Sequence, residues 1–302
     1  HGTADETSGL KQALNLARNN NAPLSVLVVS PPFPEEFPSY RKKFEQSLIA
    51  QTEASIRSSQ EAMGMEPDTA DIPIRLLSGK TLSIQIIRYV LQHGHDLVIK
   101  EAEPLDSSDA GFKALDMHLL RKCPCAVWLS RPIQRSREKI RVAVAVDPEE
   151  QQQQAADLSR RLLQLSRSLA DSCSGTLYII SCWEYEFESF LRHNARVDVG
   201  DAELMDTIVK REQQHREALD NLIETAGITG RTEVHHRRGQ PEVCIPAFVR
   251  EHGVDILVMG TVARTGISGF LVGNTAENTF QNLSCSLLAL KPHGFVSPVR
   301  AY

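Results

Sequence analysis

Apolar residues recur along this chain in two rhythms, short unbroken runs and longer stretches spaced every three to four positions. The second half shows the alternation most clearly. Residues 140–146 (IRVAVAV) form an apolar, largely β-branched run of the kind expected of a strand buried on both faces. Beyond it, Leu158, Leu162, Leu165 and Leu169 fall at i, i+4, i+7 and i+11, which is one face of a helix. Gly175 is placed to end that helix, and 176–181 (TLYIIS) reads as the next strand. A long helix over 202–226, a strand at 232–236, a helix over 242–252 and a strand at 256–259 follow. The last helix and strand cover 275–283 and 286–290.

Strands alternating with helices in this way call for a parallel sheet covered on both faces, because parallel neighbours are joined by right-handed crossover helices. The first half repeats the pattern with strands at 24–29, 72–76, 97–99 and 126–129. Its opening strand has no counterpart in the sequence, since His1 and Gly2 fall where the turn after that strand belongs. A segment preceding His1 is therefore expected. The repeat is visible residue by residue: Gly79 matches Gly239 at a separation of 160, and Gly94 with Gly253 and Asp96 with Asp255 match at 159. Cys125 with Cys285 and Pro132 with Pro292 return to 160. The expected architecture is α/β, two tandem domains over 1–132 and 140–302 joined by a linker at 133–139, each a five-stranded parallel sheet with helices on both faces, the first lacking its first strand. The short apolar runs 126–129 and 286–290 are expected at sheet edges that need cover, and their expected antiparallel pairing makes the chain an intramolecular pseudo-dimer, with homodimerisation left open.

Composition narrows the classes. Of 302 residues 41% are hydrophobic and 24% charged, ordinary for a globular chain able to bury two cores. No apolar run approaches the roughly 20 residues that span a bilayer, and no basic stretch precedes an apolar segment at the start, so the expectation is a cytoplasmic protein. A net charge of -5 argues against nucleic acid as a partner, and the basic residues Arg131, Arg135, Arg137 and Lys139 read as a solvated linker. Six cysteines without a C-x-x-C pair read as buried free thiols.

Candidate chemistry concentrates beyond the strand ends, where open parallel sheets collect ligands. Asp147 follows the first strand of the second half, and the segment 260–274 (GTVARTGISGFLVGN) joins the fourth strand to the last helix. It carries Gly260, Gly266, Gly269 and Gly273 ahead of Asn274, a residue able to cap the helix. Glycines before a helix suit either a structural turn or a phosphate cradle. This loop resembles that of the universal stress protein family, whose pattern is Gly, two residues, Gly, nine residues, Gly, then Ser or Thr. Here Gly260, Ala263, Gly273 and Asn274 occupy the four places. The spacing is kept, while the second glycine is alanine and the hydroxyl residue asparagine. The resemblance covers both halves and implies that Asp147 would contact the adenine end of ATP, with Gly260, Gly273 and Asn274 near ribose and phosphates. Gly266 belongs to the same loop, and Arg264 would supply charge beside it or stand as a solvated surface residue. In the first half Glu101 and Lys113 replace the first and third glycines, so nucleotide binding is not expected there.

Aromatic segments follow the second strand of each half: Phe33, Phe37 and Tyr40 in one, Trp183, Tyr185, Phe187 and Phe190 in the other. They suit packing against the long helix or closure over an apolar ligand. His235 and His236 point to opposite faces of a strand and read as an exposed polar end. No Ser-His-Asp order, H-E-x-x-H or Walker pattern occurs, and no metal site or catalytic residue is expected. The resemblance implies a non-enzymatic stress-response regulator binding a small ligand or a protein partner. Two alternatives stand beside it: an ATP-binding switch with slow ATPase or autophosphorylation at the second loop, and a carrier of an apolar, lipid-like ligand.

Overall fold

The computed structural model describes residues 7–65, 72–103, 110–149, 153–193, 199–261 and 273–301. They form two compact units. One carries the chain up to Ile133, apart from Asp109–Gly111, together with the segment from Phe295; the other is Gln134–Gly294 with Asp109–Gly111.

The first unit contains helix α1 (Thr7–Asn20), strand β1 (Val26–Ser30), helix α2 (Arg41–Ala62), strand β2 (Ile74–Ser78), helix α3 (Leu82–His93), strand β3 (Leu97–Glu101), helix α4 (Ala114–Lys122) and strand β4 (Ala126–Ser130). β1 pairs with β2 and β3 with β4, both parallel, with Val28 opposite Leu76 and Ile99 opposite Trp128. Among the described residues no strand lies between these two pairs. The segment from Phe295 is held to this unit by Ser297 Oγ donating to the Lys122 carbonyl at 2.6 Å and Gln92 Nε2 donating to the Ala301 carbonyl at 2.8 Å.

The second unit runs β5 (Val142–Ala145), α5 (Gln153–Asp171), β6 (Thr176–Trp183), α6 (Glu188–His193), α7 (Asp201–Thr225), β7 (Arg231–Arg238), α8 (Pro241–His252), β8 (Ile256–Gly260), α9 (Asn274–Phe280) and β9 (Ser286–Leu290). Its five strands are all parallel in the order β9-β8-β5-β6-β7. β5 and β9 are buried at every position, as strands covered on both faces must be.

One expectation about α5 fails. Leu158, Leu162 and Leu169 are buried, but Leu165 is 37% exposed, and Leu163, Ser166 and Ala170 complete the buried face instead. The four leucines stay within about 60° of one another at about 100° per residue, but the buried face is centred further round the helix, toward Ser159 and Ser166, which leaves Leu165 at its rim. The basic residues Arg135, Arg137 and Lys139 before β5 are exposed, and two of them also bond groups of the second unit. Arg135 bonds the Gly253 carbonyl and the Asp255 carboxylate, and Arg137 Nε donates to the Ser172 carbonyl at 2.7 Å.

The repeated Gly94 and Gly253 have a backbone reason. Each follows a helix, α3 or α8, with φ of 68° and 53°, the left-handed geometry that closes a helix at little cost only for glycine. Two residues later the chain also behaves alike in both copies. The Asp96 carbonyl accepts from Ala126 N–H, and the Asp255 carbonyl accepts from Ser286 N–H, so both launch the adjoining strand in register.

Helix α8 offers a matched pair for testing the core. Phe248 is fully buried, whereas Val243 on the same helix is 62% exposed. Phe248→Ala is expected to cost roughly 3–5 kcal/mol, and Val243→Ala within about 0.5 kcal/mol of nothing. Urea midpoints of the two variants measure this, and equal shifts would contradict the packing described.

Candidate functional site

The strand order of the second unit fixes where a site can form. From β5 the chain steps outward through β6 and β7, then returns to place β8 and β9 on the other side of β5. The connections leaving β5 and β8 therefore diverge, and a crevice opens at the carboxyl ends of these two strands. Asp147 lies two residues past β5, and Gly260 is the last residue of β8.

Gly260 sits against α5: a Cβ built there would lie 3.0 Å from Leu158 Cδ2, so a side chain would displace that leucine. Thr261 is fully buried and anchors the loop's start, with its N–H 3.1 Å from the Leu290 carbonyl. The far end is tied to the same residue, since Gly273 N–H donates to the Thr261 carbonyl at 3.0 Å. The two loop ends are thereby drawn together. Ala263, Arg264, Gly266 and Gly269 lie outside the described residues. Asn274 was expected to cap α9 through its side chain; instead Gly273 is the N-cap, with no side-chain cap bond, and Asn274 is the first helical residue. The φ of -61° and ψ of 144° at Gly273 are open to any residue, so its backbone torsions do not require glycine.

Behind Asp147 lies a polar cluster that the sequence reading did not find. Glu149 N–H donates to Asp147 Oδ1 at 3.1 Å, and the Glu149 carboxylate is gripped at both oxygens by Arg211 of α7. One turn along α7, His215 is fully buried, and its Nδ1 lies 2.9 Å from His236 Nε2 of β7. Donor atoms of Asp147, Glu149 and His215 all lie within 4.8 Å of one another. Burial holds His215 down to a pKa of about 4, against the raising effect of Glu149, so the ring is neutral at ordinary pH. The available signal was positional. Leu204, Ile208, His215, Leu219 and Leu222 share the buried stripe of α7, and an imidazole on such a stripe needs polar company.

The two histidines of β7 do face opposite ways, but neither is an exposed end. His236 stacks between His215 and Trp183, at centroid distances of 5.0 and 5.8 Å. His235 packs against Phe248 and His252 of α8 at 4.7 and 4.6 Å. Helices on both faces of the sheet cover this strand, which is why its polar pattern does not signal exposure. Trp183 is buried with Leu204 and Ile208 and ringed by Tyr185, Leu191 and Val199, which is packing against the long helix. Phe187 and Phe190 remain exposed.

The equivalent edge of the first unit is chemically different. Glu101 ends β3 as Gly260 ends β8, and its Oε2 accepts the Gly9 N–H at 3.3 Å. Lys100 Nζ lies 3.0 Å from Oδ1 of the fully buried Asp116, whose other oxygen accepts Glu103 N–H at 2.9 Å. Burial raises the Asp116 pKa, and Lys100 opposes that rise. Glu101 thus puts a carboxylate where the second unit has the bare backbone of Gly260, with an ion pair beside it. All six cysteines are free thiols, three of them buried, with Cys123 and Cys125 sulfurs 3.6 Å apart.

The five-stranded order, reversing at β5, defines a doubly wound α/β fold. The model of the universal stress protein family matches residues 140–291. Universal stress protein E of Escherichia coli (strain K12) is 30% identical, over 87% of this chain and 81% of the relative. The protein of the same name from Photorhabdus laumondii is 27% identical, over 98% and 94%. Among solved structures, a functionally unknown protein from Pseudomonas aeruginosa matches with a TM-score of 0.66 at 25% identity, covering 94% of this chain and 87% of that one. A universal stress protein from Archaeoglobus fulgidus shares the fold, with a TM-score of 0.59 at 12% identity and coverage of 94% and 93%. The chain belongs to the universal stress protein family.

The packing of His235 has a pH signature. Burial, then His252 and Arg237, lower its pKa below 6.5, while Glu233 and Glu251 act in the opposite sense. Above pH 6.5 neither the folded nor the unfolded ring holds the extra proton. Below it the unfolded chain takes up the proton first, so stability declines as pH falls toward the folded-state value. Wild type should lose stability relative to His235→Gln as pH drops through this window, measured by urea unfolding. Parallel pH curves for the two proteins would refute the assignment.

Proposed function

We propose that this chain is a non-enzymatic stress-response regulator whose ligand binds the second unit, at the crevice between β5 and β8. The observation that carries this reading is the reversal of strand order there, with Asp147 and Gly260 at the two strand ends and the loop ends held together through Thr261. The first unit lacks that opportunity. Glu101 and the Lys100–Asp116 pair fill the corresponding edge, and a carboxylate at the entrance repels phosphate. Its role in this reading is structural.

The ligand class that fits best is an adenine nucleotide, ATP included. The spacing Gly260, Ala263, Gly273, Asn274 is that of the family's nucleotide loop, and Asp147 stands where a carboxylate can meet an adenine edge. Arg264 and Gly266 belong to this proposed site as parts of the same loop. Among the described residues no helix is long and apolar enough to cross a membrane, which fits a regulator acting on small diffusible ligands.

Calorimetry of the full chain with ATP and magnesium tests the nucleotide reading, with saturable one-to-one binding expected. Gly273→Val adds a side chain at a backbone geometry that valine adopts without strain, so it should fold and yet weaken ATP binding at least tenfold. Absence of heat with ATP, ADP and AMP alike would overturn the nucleotide assignment.

A further inference from the structure

The cluster behind the crevice carries an inference that does not depend on nucleotide binding. Asp147, Glu149 and His215 bring two carboxylates and one imidazole to within 4.8 Å of one another, donor to donor. Two elements supply them, the turn after β5 giving the carboxylates and α7 the imidazole, and β7 supports the imidazole through His236. We infer that these three side chains form a binding site for a first-row divalent transition cation, of which zinc is the test case.

Two independent features point to a ligand rather than to three neighbouring polar groups. The first is an orphaned atom. His215 is fully buried, yet its Nε2 has no hydrogen-bond partner, although a buried polar nitrogen normally has one. Its Nδ1 is engaged with His236 Nε2, which leaves Nε2 as the donor available to the cluster. In the tautomer in which Nδ1–H donates to His236, Nε2 carries an unshared lone pair with two carboxylates close by. A lone pair facing anions is repelled by them, and a cation between the three removes that conflict.

The second feature is the set of outer partners. Ligating histidines almost always donate their other ring N–H to a neighbour, and ligating carboxylates are themselves hydrogen-bonded, which fixes their orientation. Each of the three has this support: His215 from His236 at 2.9 Å, Glu149 from Arg211 at both oxygens, and Asp147 from Glu149 N–H at 3.1 Å. Arg211 does not displace the cation from Glu149, because a carboxylate offers about four lone-pair directions and a bidentate guanidinium uses two. The charges also balance sensibly. Two carboxylates and one guanidinium leave one negative charge around a neutral imidazole, which favours a cation over a second anion.

The donor types select the metal class. Imidazole with carboxylate oxygens suits zinc, manganese or iron(II), whereas magnesium and calcium are met by oxygen donors alone. Three protein donors leave a coordination position for water or for a ligand in the crevice beside Asp147.

The test uses the full chain, stripped with a chelator and desalted, in the absence of nucleotide. Titration with zinc by calorimetry should show one saturable site, and magnesium should bind at least tenfold more weakly. Cobalt(II) should give a visible d–d spectrum that zinc displaces. Glu149→Gln, at a partly exposed position, and His215→Gln should each weaken zinc binding at least tenfold while retaining the far-ultraviolet circular dichroism of wild type. If His215→Gln fails to fold, the Glu149→Gln result decides. Zinc bound elsewhere, such as at Cys123 and Cys125, would leave Glu149→Gln unaffected and overturn the assignment, as would equal affinity for magnesium or no saturable binding. Because no nucleotide is present, this outcome is separable from success or failure of ATP binding.

Discussion

The parallel pairing of β5 with its two neighbours is the constraint from which the rest of the second unit follows. β5 bonds β6 on one side and β8 on the other, with Val144 opposite both Ile179 and Val258. A strand buried on both faces must be apolar throughout, and parallel neighbours must be reached by helices crossing the sheet. With β6 and β7 on one side, the chain returns to the other side of β5 rather than extending past β7. That return places the ends of β5 and β8 side by side with diverging connections. The crevice is thus a consequence of strand order, and its chemistry is set by whichever residues stand at two strand ends.

The same sheet decides where polar groups can be buried. α7 covers one face with Leu204, Ile208, Leu219 and Leu222, and His215 stands in the middle of that stripe. Burying an imidazole among apolar side chains is unfavourable unless its nitrogens are satisfied, and burial alone drives it to the neutral form. β7 meets part of that demand by placing His236 beneath it, while Arg211 and Glu149 close the solvent side as a paired charge. The cluster therefore spans from the fully buried imidazole of α7 to the partly exposed carboxylate of Glu149 in the turn after β5. A gradient of this kind gives a donor set both rigidity at its base and access at its rim.

Much of the fold was legible because periodicity reports burial. The runs at 256–259 and 286–290 became β8 and β9 with little change, and the matched Gly94 and Gly253 became left-handed helix ends. Where the reading failed, the cause was three-dimensional. Leu165 fits the arithmetic of a helical face yet lies at its rim, since the width of the stripe depends on what the helix packs against. His235 and His236 look like an exposed polar end, but helices cover both faces of β7. The site divides in the same way. Asp147 and Gly260 could be placed from strand order, whereas Glu149, Arg211, His215 and His236 are scattered over 88 positions (236 - 149 + 1) and meet only in space.

The two units show how a duplicated fold separates from its chemistry. Both end a strand and begin a helix at equivalent places, and both use an aspartate carbonyl to launch the next strand. At the corresponding strand end one has Gly260 and the other Glu101, and the difference extends inward. Asp116, fully buried, requires Lys100 as its partner, so the first unit has committed its charges to each other. An edge whose charges are paired with each other offers little net charge to a ligand. In the second unit the buried Nε2 of His215 has no hydrogen-bond partner, and two carboxylates lie near it against one guanidinium. Fold similarity therefore locates the edge to examine in each unit, but the state of its buried polar atoms distinguishes an edge that supports structure from one equipped to bind.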